Sequence, residues 1–115
     1  VSEQRHWSVD RGARVMGLRP EQIRPVPVDA HLRLDLAALE RLFADDQRQG
    51  HPPLAVVATA GTTNTGAIDP LPELTDWCRA RGIWLHVDGA YGWANVLDPE
   101  GAAELVGLGE ADSIT

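Results

Sequence analysis

Lysine is missing from this sequence: all ten basic residues are arginines, so no lysine amine of this chain can form a Schiff base. Cysteine occurs once, at Cys78, which rules out an intrachain disulfide. A lone thiol suits a cytoplasmic protein, and that is the compartment the sequence suggests. No apolar run approaches the roughly 20 residues that a membrane-crossing helix needs. The first residues lack the basic stretch followed by an apolar one that marks a signal peptide. Positive charge is scarce, with 10 Lys+Arg against 17 Asp+Glu and a net charge of −7. Nucleic acid is therefore not an expected partner, because phosphate backbones bind basic patches. Phe and Tyr each occur once, whereas tryptophan occurs four times, at Trp7, Trp77, Trp84 and Trp93.

What remains is an ordinary globular composition. The 115 residues are 43% hydrophobic, enough for one small domain around a single core. Both ends read as cut. The chain opens on the polar run Val1-Ser2-Glu3-Gln4-Arg5 and stops in Ala111-Asp112-Ser113-Ile114-Thr115, which resembles a strand just beginning. Residues 1–115 are expected to be a piece of a larger domain, truncated at both ends.

The pattern along the chain alternates helices and strands. Ser8 is positioned to cap a first helix with Val9, Ala13, Val15 and Met16 as its apolar stripe and Gly17 as its stop. Residues 23–28 alternate like a strand, but Pro25 and Pro27 suit only an edge or an extended segment. Asp35 is a natural N-cap, and Leu36, Leu39, Leu42 and Phe43 recur at helical spacing to about residue 48. Leu54-Ala55-Val56-Val57-Ala58-Thr59 is an unbroken apolar, β-branched run, the signature of a strand covered on both faces. Pro70 or Pro72 opens the next helix, with Leu74, Trp77 and Cys78 facing inward and Gly82 ending it. Ile83-Trp84-Leu85-His86-Val87-Asp88 reads as a second buried strand. A tight turn at 89–92, a helix from about 99 to 108 and a last short strand follow. This order predicts an α/β fold built on a parallel sheet. Ligands of open α/β sheets sit beyond the carboxyl ends of the strands. The stretches 59–63 and 88–90 both fall there.

Asp88 is the leading candidate. A carboxylate that closes an apolar strand needs a cationic or hydrogen-bonding partner. A helix cap or a strand-end salt bridge would satisfy it. So would a metal, since His86 lies two residues away on the same strand face, although no cluster of Cys or His completes such a site. The loop Gly61-Thr62-Thr63-Asn64-Thr65-Gly66 offers hydroxyls and backbone N–H groups. It lacks the lysine and spacing of a nucleotide phosphate loop. Taken alone, His6 beside Trp7 reads as a surface histidine. Cys78 reads as core, not nucleophile.

Four stretches together resemble the group II pyridoxal-phosphate-dependent amino-acid decarboxylases, which include the aromatic amino-acid, glutamate, histidine and diaminobutyrate enzymes. Val57-Ala58-Thr59-Ala60-Gly61-Thr62-Thr63-Asn64-Thr65-Gly66-Ala67-Ile68-Asp69-Pro70 is similar to that family's strand and Thr-rich loop. Ile83-Trp84-Leu85-His86-Val87-Asp88-Gly89-Ala90-Tyr91-Gly92 resembles its cofactor-aspartate motif. Ala111-Asp112-Ser113-Ile114-Thr115 resembles the strand that runs into its His-Lys pair. Ser2-Glu3-Gln4-Arg5-His6-Trp7-Ser8 resembles, more loosely, the segment bearing its ring-stacking histidine.

The resemblance implies part of the three-layer, parallel-sheet large domain of the aspartate-aminotransferase superfamily (fold type I), binding pyridoxal 5'-phosphate. It implies that Asp88 pairs with the pyridine nitrogen, Ala90 packs on one ring face and His6 stacks on the other. Thr63 would lie near the ring's 3-oxygen or the substrate carboxylate, with His86 as a supporting contact and no metal. It further implies decarboxylation of an amino acid, with His6 and Asp88 as catalytic groups, and a homodimeric parent. The Schiff-base lysine would follow Thr115 by about five residues, so this piece alone is expected to be inactive. Two departures stand out: Gly89 replaces the family's usual Ala, and Trp93 replaces a small residue. A desulfurase or aminotransferase of the same fold, a non-catalytic homologue, and an unrelated α/β domain with a His86–Asp88 metal site remain open readings.

Overall fold

The computed structural model describes residues 1–115. The elements in order are α1 (Trp7–Val15), α2 (Leu36–Arg48), β1 (Ala55–Thr59), α3 (Leu71–Arg79), β2 (Trp84–Asp88), α4 (Pro99–Glu104) and β3 (Ser113–Ile114). The three strands form one parallel sheet in the order β1-β2-β3. Each parallel crossover is filled by helix, which is the α/β architecture that the alternating pattern predicts.

Local chemistry sets the helix limits. Asp35 caps α2 by accepting from the N–H groups of Ala37 (2.8 Å) and Ala38 (3.2 Å), an arrangement worth about 1 kcal/mol. Pro70 and Pro72 flank the start of α3, where a missing N–H costs nothing. Both helices bury their apolar stripes against one face of the sheet. Leu39, Leu71, Leu74 and Cys78 pack there with Val56, Ala58, Leu85 and Val87. Each fully buried leucine contributes roughly 1.5–3 kcal/mol through removal of its surface from water. Phe43 of α2 meets Trp77 of α3 edge-on, 5.2 Å between ring centroids.

Four expectations need correction or narrowing. First, β1 and β2 are covered on one face only. Val56, Ala58, Leu85 and Val87 are buried, whereas Ala55, Val57, His86 and Asp88 are half-buried and Trp84 is 52% exposed. The apolar run of β1 thus reaches a face that this chain leaves open. Second, His6 caps α1, not Ser8: the His6 ring accepts from the Ser8 N–H. Only Ala13 of the expected stripe is buried, while Val15 and Met16 are exposed. Third, of the two readings left for residues 23–28, the extended segment is the one observed, with no strand ladder. Val26 and Val28 make isolated bridges to Ser2 and Leu34, because Pro25 and Pro27 remove alternate donors. Fourth, α4 ends at Glu104, and Gly107 (φ 89°) turns the chain before it can continue to 108. A short 3₁₀ turn at Trp93–Leu97 precedes it, with no periodicity in the sequence to announce it.

Candidate active site

A cleft of about 1460 Å³ lies over the open face of the sheet. It gathers the sequence candidates: His6, Thr63, His86, Asp88 and Ala90 all line it. The strand register explains why. Ala55 pairs with Trp84, Val57 with His86 and Thr59 with Asp88. Because side chains alternate across a strand, these three pairs share the cleft face, and the intervening residues enter the core.

Asp88 ends β2 with its carboxylate half-buried. Its Oδ1 accepts from the backbone N–H of Ala90 at 3.2 Å. None of the seven ion pairs in the molecule involves it. The strand-end salt bridge that could have explained it is therefore not made. Ala90 is exposed at the turn and presents only a methyl group. Thr63 is exposed on the loop and makes no side-chain hydrogen bond within the chain, whereas its neighbour Thr62 is buried and bonds to the Thr65 hydroxyl at 2.6 Å.

His86 occupies a defined network. Its Nδ1 lies 2.9 Å from the Ser113 hydroxyl and its Nε2 3.1 Å from the Thr115 hydroxyl. Ser113 also accepts from the Trp84 indole at 2.9 Å. With both ring nitrogens engaged, His86 ties β2 to β3 on the cleft face. His6 sits half-buried at the start of α1. Its Nδ1 accepts from the Ser8 N–H at 3.3 Å and lies 2.8 Å from the Ser8 hydroxyl.

Three features of the site were not singled out in the sequence. Thr59 is 4% exposed, and its hydroxyl has no partner. An unpartnered buried hydroxyl costs roughly 1–3 kcal/mol. Asp69, 2% exposed, accepts from the N–H groups of Leu34 (2.7 Å) and Thr59 (2.8 Å). The Asp69 N–H in turn donates to the Thr59 carbonyl at 2.9 Å. Thr59 is thus clamped on both sides of its backbone. Burial pushes the Asp69 carboxyl above its usual range, against the pull of the two N–H groups. The third is a crossing of the two loops. A Cβ on Gly92 would meet the Ala60 carbonyl oxygen at 2.4 Å, so only glycine fits where the aspartate turn passes the threonine loop. The one available signal was the motif Ile68-Asp69-Pro70 itself, whose aspartate follows a short loop and could have been read as a clamp.

The fold agrees with comparisons to known proteins. The sequence model of the pyridoxal-dependent decarboxylase conserved domain matches residues 1–115. The chain is 45% identical over 114 residues to an aromatic-L-amino-acid decarboxylase of Bacillus atrophaeus, covering 99% of the chain and 24% of that protein. It is 40% identical over 114 residues to an L-2,4-diaminobutyrate decarboxylase of Acinetobacter baumannii, covering 99% of the chain and 22% of that protein. The crystal structure of mouse CSAD in apo form superposes with a TM-score of 0.94 at 37% identity, over 98% of this chain and 24% of that one. Oryza sativa TDC, solved with PLP, superposes at 0.90 with 34% identity over 98% of this chain and 24% of that one. The chain spans about a quarter of the length of the relatives it matches. A match that runs from the first residue to the last, on a parallel sheet whose open face carries Asp88, places the chain in the pyridoxal-dependent decarboxylase family.

Proposed function

We propose that residues 1–115 are a segment of the cofactor-binding large domain of an enzyme that decarboxylates an amino acid with pyridoxal 5'-phosphate. The observation that carries this reading is the Asp88 carboxylate at the end of β2. It faces a cleft, half-buried, and takes part in none of the chain's ion pairs. A cleft-facing carboxylate without an ion-pair partner can receive a cation, and a protonated pyridine nitrogen is such a cation.

The residues present suit that group. Asp88 would hold the proton on the ring nitrogen. Ala90, a bare methyl beside it, leaves room for a flat ring. His6 and Thr63 border the same cleft and would contact a ring face and the ring's 3-oxygen or the substrate carboxylate, respectively. His86 would steady β2 through Ser113 and Thr115. Bound there, the cofactor supplies an electron sink for the pair left when CO₂ departs. The lysine that attaches the cofactor, absent from this sequence, and the substrate-binding loops would come from the rest of the protein. The parent would be a cytoplasmic homodimer, and the isolated segment inactive.

The test uses the full-length protein. Cofactor is titrated by absorbance, and CO₂ release is followed with a panel of amino acids. Asp88→Asn should lower turnover about a hundredfold or more, the scale of losing one preorganised electrostatic partner. Unchanged turnover in that variant would sink the assignment of the site. Sulfide release or keto-acid formation in place of CO₂ would move the protein to another chemistry of the same fold.

A further inference from the structure

The Thr59 hydroxyl has no use in the structure of the chain itself. It is buried, it lines the cleft, and no atom of the chain hydrogen-bonds to it. The N–H and C=O of Thr59 are both held by Asp69, and β-branching restricts its side chain to few rotamers. Its register partner across the sheet is Asp88, and adjacent strands lie about 4.8 Å apart. The Ala60 N–H donates to the Asp88 carbonyl at 2.8 Å, so the two strand ends are locked in this register. The two side chains thus leave the sheet on the same face from adjacent strand ends, with no hydrogen bond made between them.

We propose that Thr59 is a positioning residue, whose hydroxyl donates to the Asp88 carboxylate when the cleft is filled and so fixes which carboxylate oxygen meets the ring nitrogen. This rests on the reading of Asp88 given above. The Ala90 N–H holds one side of the carboxylate. A second donor would remove its remaining freedom to rotate. The bond is made by a rotamer change at Thr59 or Asp88 when the ring docks against the carboxylate. Stability is thereby transferred from the free protein to the complex.

The experiment compares Thr59→Val, Thr59→Ser and Asp88→Asn with the wild-type full-length protein. Valine keeps the shape and removes the hydroxyl; serine keeps the hydroxyl. Melting temperature is measured without and with pyridoxal phosphate, alongside the cofactor dissociation constant and the pH dependence of bound-cofactor absorbance. Thr59→Val should melt no lower than wild type without cofactor. It should bind cofactor roughly tenfold more weakly, the scale of one hydrogen bond to a charged group, with the absorbance titration displaced from that of wild type. Thr59→Ser should restore both. Wild-type affinity and an unmoved titration in Thr59→Val would overturn the proposal, as would a loss of stability confined to the cofactor-free protein. If Asp88→Asn also leaves affinity and titration unchanged, the reading of Asp88 fails and this proposal falls with it. If only Thr59→Val is silent, the fault lies with Thr59 alone.

Discussion

Gly89 and Trp93 share one space. A Cβ built on Gly89 would stand 3.1 Å from the Cβ of Trp93, with the Thr115 carbonyl oxygen at 3.5 Å behind it. The Trp93 N–H donates to the Gly89 carbonyl at 2.9 Å, which fixes the approach. Positions 89 and 93 are therefore in direct contact, so a side chain at one limits what the other can carry.

Gly89→Ala alone should destabilise the full-length protein by about 1–3 kcal/mol, the usual range for overpacking a tight contact. Trp93→Gly removes the opposing Cβ and should relieve it, whereas Trp93→Ala keeps that atom and should not. Urea unfolding of the singles and doubles measures the coupling, expected at roughly 0.5–3 kcal/mol. Additive effects in the glycine double would show that the contact gives way freely.

Asp69 should be intolerant of the amide. Asp69→Asn turns an NH₂ group toward a backbone N–H, of either Leu34 or Thr59, and should cost about 2–3 kcal/mol through a buried donor left unpaired. The pH dependence has a definite sign. Burial raises this carboxyl's pKa in the folded state, so the folded protein holds the proton more tightly than the unfolded chain does. Its contribution to stability is complete below the unfolded pKa and declines as pH rises through the folded one. The advantage of wild type over Asp69→Asn should shrink between pH 4 and pH 7 in urea melts. An advantage that grows over that interval would contradict the burial effect.

Cys78 should be inert in the native protein. It is 1% exposed, and burial, reinforced by Asp112, pushes its thiol up to about 11. Only the thiolate reacts, and an unperturbed thiol ionises near 8.5. At pH 8, labelling of the Cys78 peptide by a maleimide, followed by mass spectrometry, should be more than about a hundredfold slower in the folded state than in urea. Comparable rates would place the thiol outside the core.

Much of this molecule is written locally. The helical spacing of Leu36, Leu39, Leu42 and Phe43 behind Asp35 located α2 to the residue, because a cap and a 3.6-residue period are properties of neighbouring residues. The apolar run before Thr59 and the strand before Asp88 located β1 and β2, and their carboxyl ends pointed to the cleft. Ser8 misled because the helix starts two residues earlier, with the His6 ring accepting from the Ser8 N–H, and histidine is not among the side chains that type preferences favour as caps.

The remainder depends on contacts between residues far apart in the chain. Which face of β1 lies open follows from where α2 and α3 dock. The Thr59–Asp88 pairing follows from a register that no single strand contains. The Asp69 clamp joins residues 35 and 10 positions apart, and the need for glycine at 92 comes from the Ala60 carbonyl in another loop. The sequence by itself determined the order of the main helices and strands, the family resemblance and the candidate carboxylate. Only the tertiary structure decided that the carboxylate faces a cleft beside a hydroxyl with nothing to bond, because strand register and helix docking are set by the packing of the whole chain.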